Sequence, residues 1–123
     1  VAKRLYAMAG VKPSEIDVVQ SYENFTAGVV MSLIEHGFFS YEQANEFCTL
    51  ENFSAPGGKL PLNTSGGNLA ECYMHGLELQ LEAVRQIRGQ SGAQVPNASL
   101  ALVGSGPMVT PVSDMILGSE AAL

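Results

Sequence analysis

Apolar residues fall along this chain in short bursts, and the spacing within the bursts changes from helical to extended and back. Leu5, Met8 and Ala9 lie on one helical face and Gly10 follows, so residues 1–10 read as a helix stopped by glycine. Lys12-Pro13-Ser14-Glu15 is a turn, and Ile16-Asp17-Val18-Val19-Gln20, rich in β-branched residues, predicts a buried strand. Asn24 or Thr26 can cap a second helix, running through Val29, Val30, Leu33 and Ile34 to a stop at Gly37. Ser40 to Phe47 reads as a short amphipathic helix, and Glu51 to Pro61 as loop broken most strongly at Pro56-Gly57-Gly58.

Leu62-Asn63-Thr64 is brief and extended, and Ser65-Gly66-Gly67 turns the chain. The pattern then predicts a long helix from Leu69 to Ile87, stopped by Gly89, with Leu77, Leu81, Val84 and Ile87 as its buried stripe. Ser99 to Val103 is a second buried strand, Gly104-Ser105-Gly106-Pro107 a turn, and Asp114 to Leu117 a last strand. Strands joined by long helical crossovers imply an α/β fold with parallel neighbours. Three strands make a thin sheet, and Val1 to Gly10 opens in mid-helix without an initiator Met, so further chain is expected upstream.

Composition narrows the partners. The chain has 123 residues, enough for one modest domain spanning 1–123. Only 15% are charged against 46% hydrophobic, which suggests that other protein covers much of the surface. Six Lys and Arg stand against twelve Asp and Glu, a net charge of −6, so no basic stripe exists for nucleic acid or an anionic membrane. No apolar run is long enough to span a bilayer. Cys48 and Cys72 have neither disulfide-framework nor zinc-site spacing and read as reduced thiols of a cytoplasmic protein. Asn24, Asn52, Asn63 and Asn97 each begin an Asn-x-Ser/Thr triplet, taken as coincidence without a signal peptide.

Several segments, in order, resemble the C-terminal region of the thiolase superfamily. Ala9-Gly10-Val11-Lys12-Pro13-Ser14-Glu15-Ile16-Asp17-Val18 is similar to its AG-x-x-P-x-DID segment. Gly58-Lys59-Leu60-Pro61-Leu62-Asn63-Thr64-Ser65-Gly66-Gly67 resembles its GG-x-x-P-x-N-x-x-GG loop, and Ala83-Val84-Arg85-Gln86-Ile87-Arg88-Gly89 its AVRQLRG helix end. The resemblance is nearest to the lipid-transfer-protein-like, sterol-carrier-type branch. It implies the C-terminal half of a thiolase fold, with α-β-α layers and a mixed sheet.

The departures from that pattern bear on chemistry. Where thiolases carry a GHP-x-G motif, this chain has Cys72-Tyr73-Met74-His75-Gly76, with Tyr73 at the family's histidine. Where they carry Cys-x-Gly-Gly-Gly, it has Leu102-Val103-Gly104-Ser105-Gly106, without the acid/base cysteine. Where they carry Asn-Glu-Ala-Phe, it has Tyr22-Glu23-Asn24-Phe25. A tyrosine at each oxyanion-site position, with Tyr-x-His-Gly, resembles the thiolase-like aldolases that cleave steroid side chains from β-hydroxyacyl-CoA.

The resemblance therefore implies a retro-aldol carbon–carbon lyase giving a ketone and a short acyl-CoA. Its catalytic residues are expected to be Tyr73, Tyr22 and, third, His75, with Gly66, Gly67, Gly104 and Gly106 approaching the substrate through their backbone. Which tyrosine is acid and which base stays open. It also implies a CoA thioester as substrate, no tightly bound cofactor or metal, a homodimer, and a zinc-ribbon/OB-fold partner protein. An acetyl-CoA acyltransferase and a non-catalytic lipid-binding or scaffold subunit are the alternatives.

A tyrosine of ordinary pKa near ~10 is a weak base at neutral pH. The expected place of Tyr73 close to a helix start would supply free N–H groups that favour an anion. Tyr6 and Tyr41 are expected to be packing rings with satisfied hydroxyls, and His36 a helix-end cation facing solvent. Glu23 is expected either to orient a neighbour or to fix a loop.

Overall fold

The computed structural model describes residues 1–106 and 110–122. Pro107, the end of the predicted glycine turn, lies outside the described residues. The helices are α1 (Ala2–Ala9), α2 (Thr26–Glu35), α3 (Ala44–Phe47), α4 (Leu50–Phe53), α5 (Gly67–Ala70) and α6 (Leu77–Ile87). The strands are β1 (Val18–Ser21), β2 (Leu100–Gly104) and β3 (Met115–Gly118). Single 3-10 turns occupy Pro13–Glu15 and Glu120–Ala122.

The sheet is mixed, in the order β1-β2-β3. β1 runs parallel to β2 with Val18 opposite Ala101 and Ser21 opposite Gly104, and β3 returns antiparallel to β2. The extended stretch at Leu62 bridges Val19 on the outer side of β1, accepting and returning backbone bonds through Pro61 and Asn63. Asp17 fixes where β1 meets β2: one carboxylate oxygen accepts from the Ser99 N–H and hydroxyl and from the Leu100 N–H.

Alternation along the strands sends side chains to two separate cores. Val19, Leu100 and Leu102 face Tyr6, Val29, Leu33 and Phe39 on the side of α1 and α2. Val18, Ala101 and Val103 face Leu79, Ala83 and Val95 on the side of α6. The result is the α-β-α layering that the family resemblance implies.

Several local expectations need correction. The helix expected from Leu69 to Ile87 is interrupted: α5 ends at Ala70 and α6 begins at Leu77. The buried stripe of α6 is not leucine. Glu78, Leu79, Glu82, Ala83 and Gln86 are buried, while Leu77 and Leu81 are 48% and 42% exposed. The inward polar groups are tolerated because they are bonded: Glu82 accepts from Thr64 and Ser91, and Gln86 reaches Thr64, Ser91 and the Ala93 carbonyl.

His36 does not face solvent. It is buried, with Nδ1 2.7 Å from the Ser32 carbonyl and Nε2 3.3 Å from Asp114. Tyr6 packs edge-on to its ring, and the Tyr6 hydroxyl is buried without a hydrogen-bond partner among the described residues. Tyr41 lies exposed on the surface.

Candidate active site

β1 ends at Ser21, and the next residue projects its ring toward the α6 side of the sheet, where Tyr22 packs against the second core. The strand end is held by Asn63, whose side chain accepts from the Ser21 N–H at 2.7 Å and donates to the Ser21 carbonyl at 2.9 Å. Asn63 sits at φ +47, a left-handed conformation that asparagine tolerates. This asparagine of the Pro-x-Asn loop is a site-building residue that the sequence pattern placed in a motif without a task.

Glu23 follows and fixes the neighbouring glycine loop. Its carboxylate accepts from the Asn68 backbone and side chain and from Asn63. Glycine suits position 67, at φ +64, because a Cβ there would run into a Glu23 carboxylate oxygen. Of the two roles expected for Glu23, loop fixing is the one its contacts describe.

Tyr73 lies in the irregular stretch between α5 and α6. Its hydroxyl is 2.9 Å from that of Tyr22, and its ring centroid is 5.0 Å from the ring of His75. His75 reaches it because the backbone is not helical: His75 stands at φ +54 and Gly76 at φ +88. A non-glycine residue with positive φ is uncommon and often marks a functional turn. Gly76 leaves the space that the Tyr22 ring occupies, since a Cβ there would lie 3.1 Å from Tyr22 Cδ2.

The expected anion-favouring helix end is absent at Tyr73. The N–H groups of Met74 and Gly76 are both taken by the carboxyl of Glu78, at 3.0 and 3.1 Å. The electrostatics favour a neutral phenol instead. The Tyr22 pKa is pushed up to about 12, first by its hydrogen bond to Tyr73, then by desolvation, and then by the charges of Tyr73, Glu78 and Glu23. At neutral pH Tyr22 therefore keeps its proton.

Tyr22 and His75 line one cavity of about 420 Å³ together with Asn24, Gly76, Leu79, Gln80, Val103, Gly104, Ser105, Gly106 and Pro111. Tyr73 is not in that wall and touches it through its hydroxyl contact with Tyr22. Gly104 and Gly106 are in the wall, while Gly66 and Gly67 are not; Gly66 borders a separate depression beside Asn63 and Thr64. The loop of Gly104 to Gly106 is anchored from behind, because Asp114 accepts from the Ser105 N–H at 3.0 Å and also contacts His36. Among the described residues no cluster of His, Cys, Asp or Glu could hold a metal ion, and both cysteines are free. No helix among them is long and apolar enough to cross a membrane.

Comparison with known proteins agrees with the motif reading. Residues 1–119 match the thiolase C-terminal domain-like family. The chain is 41% identical over 120 residues to the steroid side-chain-cleaving aldolase of Thermomonospora curvata, covering 98% of this chain and 30% of that protein. It is 37% identical over 118 residues to the 17-hydroxy-3-oxo-4-pregnene-20-carboxyl-CoA lyase of Mycobacterium tuberculosis, covering 96% and 30%. It is 30% identical over 105 residues to bovine sterol carrier protein 2, covering 82% and 19%. A solved structure described as Ltp2-ChsH2(DUF35) aldolase aligns with a TM-score of 0.90 at 41% identity, covering 98% of this chain and 31% of that one. The chain thus spans under a third of the length of these relatives.

Proposed function

The chain belongs to the thiolase C-terminal domain-like family, and from that membership we propose that it supplies half of the active site of a retro-aldol lyase acting on a β-hydroxyacyl-CoA. The observation that carries the proposal is the direct contact of the Tyr22 and Tyr73 hydroxyls, 2.9 Å apart, beside a cavity that Tyr22 lines. The names of two relatives, a steroid side-chain-cleaving aldolase and a pregnene carboxyl-CoA lyase, support a steroid side chain as the substrate.

In the reaction the β-hydroxyl loses its proton, the Cα–Cβ bond breaks as the ketone C=O forms, and the electron pair passes to the thioester as an enolate. In the same step a proton reaches the α-carbon, before a free enolate accumulates, and the shortened acyl-CoA is released. Neither tyrosine needs to rest as a phenolate. In one concerted step Tyr73 accepts the proton of the substrate hydroxyl while passing its own to Tyr22, and Tyr22 passes its own to the α-carbon, so that neither oxygen holds two protons. Both phenols are neutral before and after, which suits the raised pKa of Tyr22. His75, with its ring beside Tyr73, orients the pair and lies in the cavity wall. Gly104 and Gly106 let the backbone of this loop line the cavity close to the thioester, while the Ser105 N–H is held by Asp114.

The wider reading includes a homodimer, a zinc-ribbon/OB-fold partner, no tightly bound cofactor, and a reducing cytoplasmic setting that suits the free thiols. The apolar side chains beside the site support a covered face: Leu69 is 91% exposed, and Met74, Leu77 and Leu81 are each at least 41% exposed. The two-protein name of the solved relative supports a partner. The test is to incubate the intact protein and its partner with a steroid β-hydroxyacyl-CoA. The expected products are ketone and short acyl-CoA; thioester hydrolysis alone, or acyl transfer to CoA, overturns the proposal.

A further inference from the structure

We propose that Glu78 is a positioning residue for the tyrosine pair, because its buried carboxyl holds the turn that brings Tyr73 and His75 together. The inference rests on the aldolase reading and deepens it.

Glu78 is fully buried, at 0% exposure, in the first turn of α6. A carboxyl is rarely so buried unless its oxygens are satisfied. Here each oxygen accepts one backbone N–H, Oε2 from Met74 at 3.0 Å and Oε1 from Gly76 at 3.1 Å. The two donors flank His75, the residue at φ +54.

The sequence from Leu69 to Ile87 has the pattern of one continuous helix. In such a helix the N–H groups of Met74 and Gly76 would donate to the carbonyls of Ala70 and Cys72, four residues back. Tyr73 and His75, two positions apart, would then project to opposite sides. Glu78 takes both donors, so the competing helix loses two of its bonds. The chain turns instead through His75 and Gly76, and the Tyr73 and His75 rings come to 5.0 Å. Tyr73 is thereby presented to Tyr22. Glu82, one helical turn on and also buried, bonds to Thr64 and Ser91 and leaves this turn alone.

The test uses the intact protein with its partner, read by peptide-resolved hydrogen exchange and by steady-state kinetics. Glu78→Gln keeps the size and one acceptor but sets an NH2 against a backbone N–H. Exchange at Met74 and Gly76 should accelerate by about tenfold or more, and kcat should fall about ten- to a hundredfold with KM within about threefold. Glu78→Asp, which keeps the carboxylate, should recover part of both, and it carries the comparison if the Gln variant fails to fold. Glu82→Gln should leave exchange at the turn unchanged. Unchanged exchange at the turn, an unchanged kcat despite faster exchange, or equal acceleration across the whole chain overturns the proposal. If the unsubstituted protein lacks aldolase activity, the aldolase reading fails on its own, and exchange still decides whether Glu78 holds the turn.

Discussion

The hydroxyls of Tyr22 and Tyr73 lie 2.9 Å apart although 51 positions separate them in the chain. One stands just past the end of β1 and the other in the turn ahead of α6, so their contact depends on two independently anchored backbones. Asn63 holds the first through Ser21, and Glu78 holds the second through Met74 and Gly76.

Removing either hydroxyl should cut the lyase rate. Tyr22→Phe and Tyr73→Phe are each expected to lower kcat by about a hundredfold, the scale of a lost proton-transfer group. The double variant should lose little more than the worse single one, because the two groups act as a unit. Steady-state rates of the four proteins decide it; two additive losses would mean separate roles.

A relay through both phenols moves more than one proton in the same step. The rate plotted against the deuterium fraction of the solvent should therefore curve downward rather than run straight. A straight line would assign the two tyrosines to successive acid and base steps.

Gly76→Ala should damage the site as well as the fold. The backbone at φ +88 disfavours an L side chain, and the added methyl would meet the Tyr22 ring at 3.1 Å. A loss of at least about 1 kcal/mol in stability is expected, with a fall in activity. Gly104→Ala is the contrast, since a methyl there meets Ser21 Oγ at an ordinary 3.6 Å. Denaturant titration of both variants should separate them.

His36 should make stability depend on pH. Burial lowers its pKa, but the hydrogen bond to Asp114, the Ser32 carbonyl and the Asp114 charge outweigh burial, so the net shift is upward from 6.5. A proton held more tightly in the folded state stabilises it below about pH 6.5, and that contribution is lost as pH rises through the higher folded value. Thermal melts between about pH 6 and 8 should show Tm falling with pH, and His36→Gln should flatten the slope. An unchanged slope would remove the ion pair from the account.

The strands and the glycine stops were legible in the sequence because they depend on local chemistry. Gly10, Gly37 and Gly89 all adopt the positive φ that ends a helix, at +71, +81 and +67. The tyrosine pair was legible only through its motif context. The inward face of α6 was not, because hydrophobic spacing favours Leu77 and Leu81, whereas Glu78 is buried on the N–H groups of Met74 and Gly76, and Glu82 and Gln86 on partners such as Thr64 and Ala93. Those partners have no periodic signature. The same limit hid His36, whose counter-charge at Asp114 comes from just ahead of β3, and the break before α6, which a single glutamate side chain enforces.

Asp17 accepts from the Leu100 N–H across 83 positions, and Ser21 pairs with Gly104 at the far end of the same two strands. The wall that joins Tyr22 to the glycine loop is thus closed by contacts of very high sequence separation, the kind that slow folding. During synthesis the first tyrosine emerges many seconds before its sheet partner, at the ordinary pace of roughly 5–20 residues per second. The cavity wall is accordingly one of the last features of this chain to form, and until β2 docks, the apolar face of β1 is the surface a chaperone would have to shield.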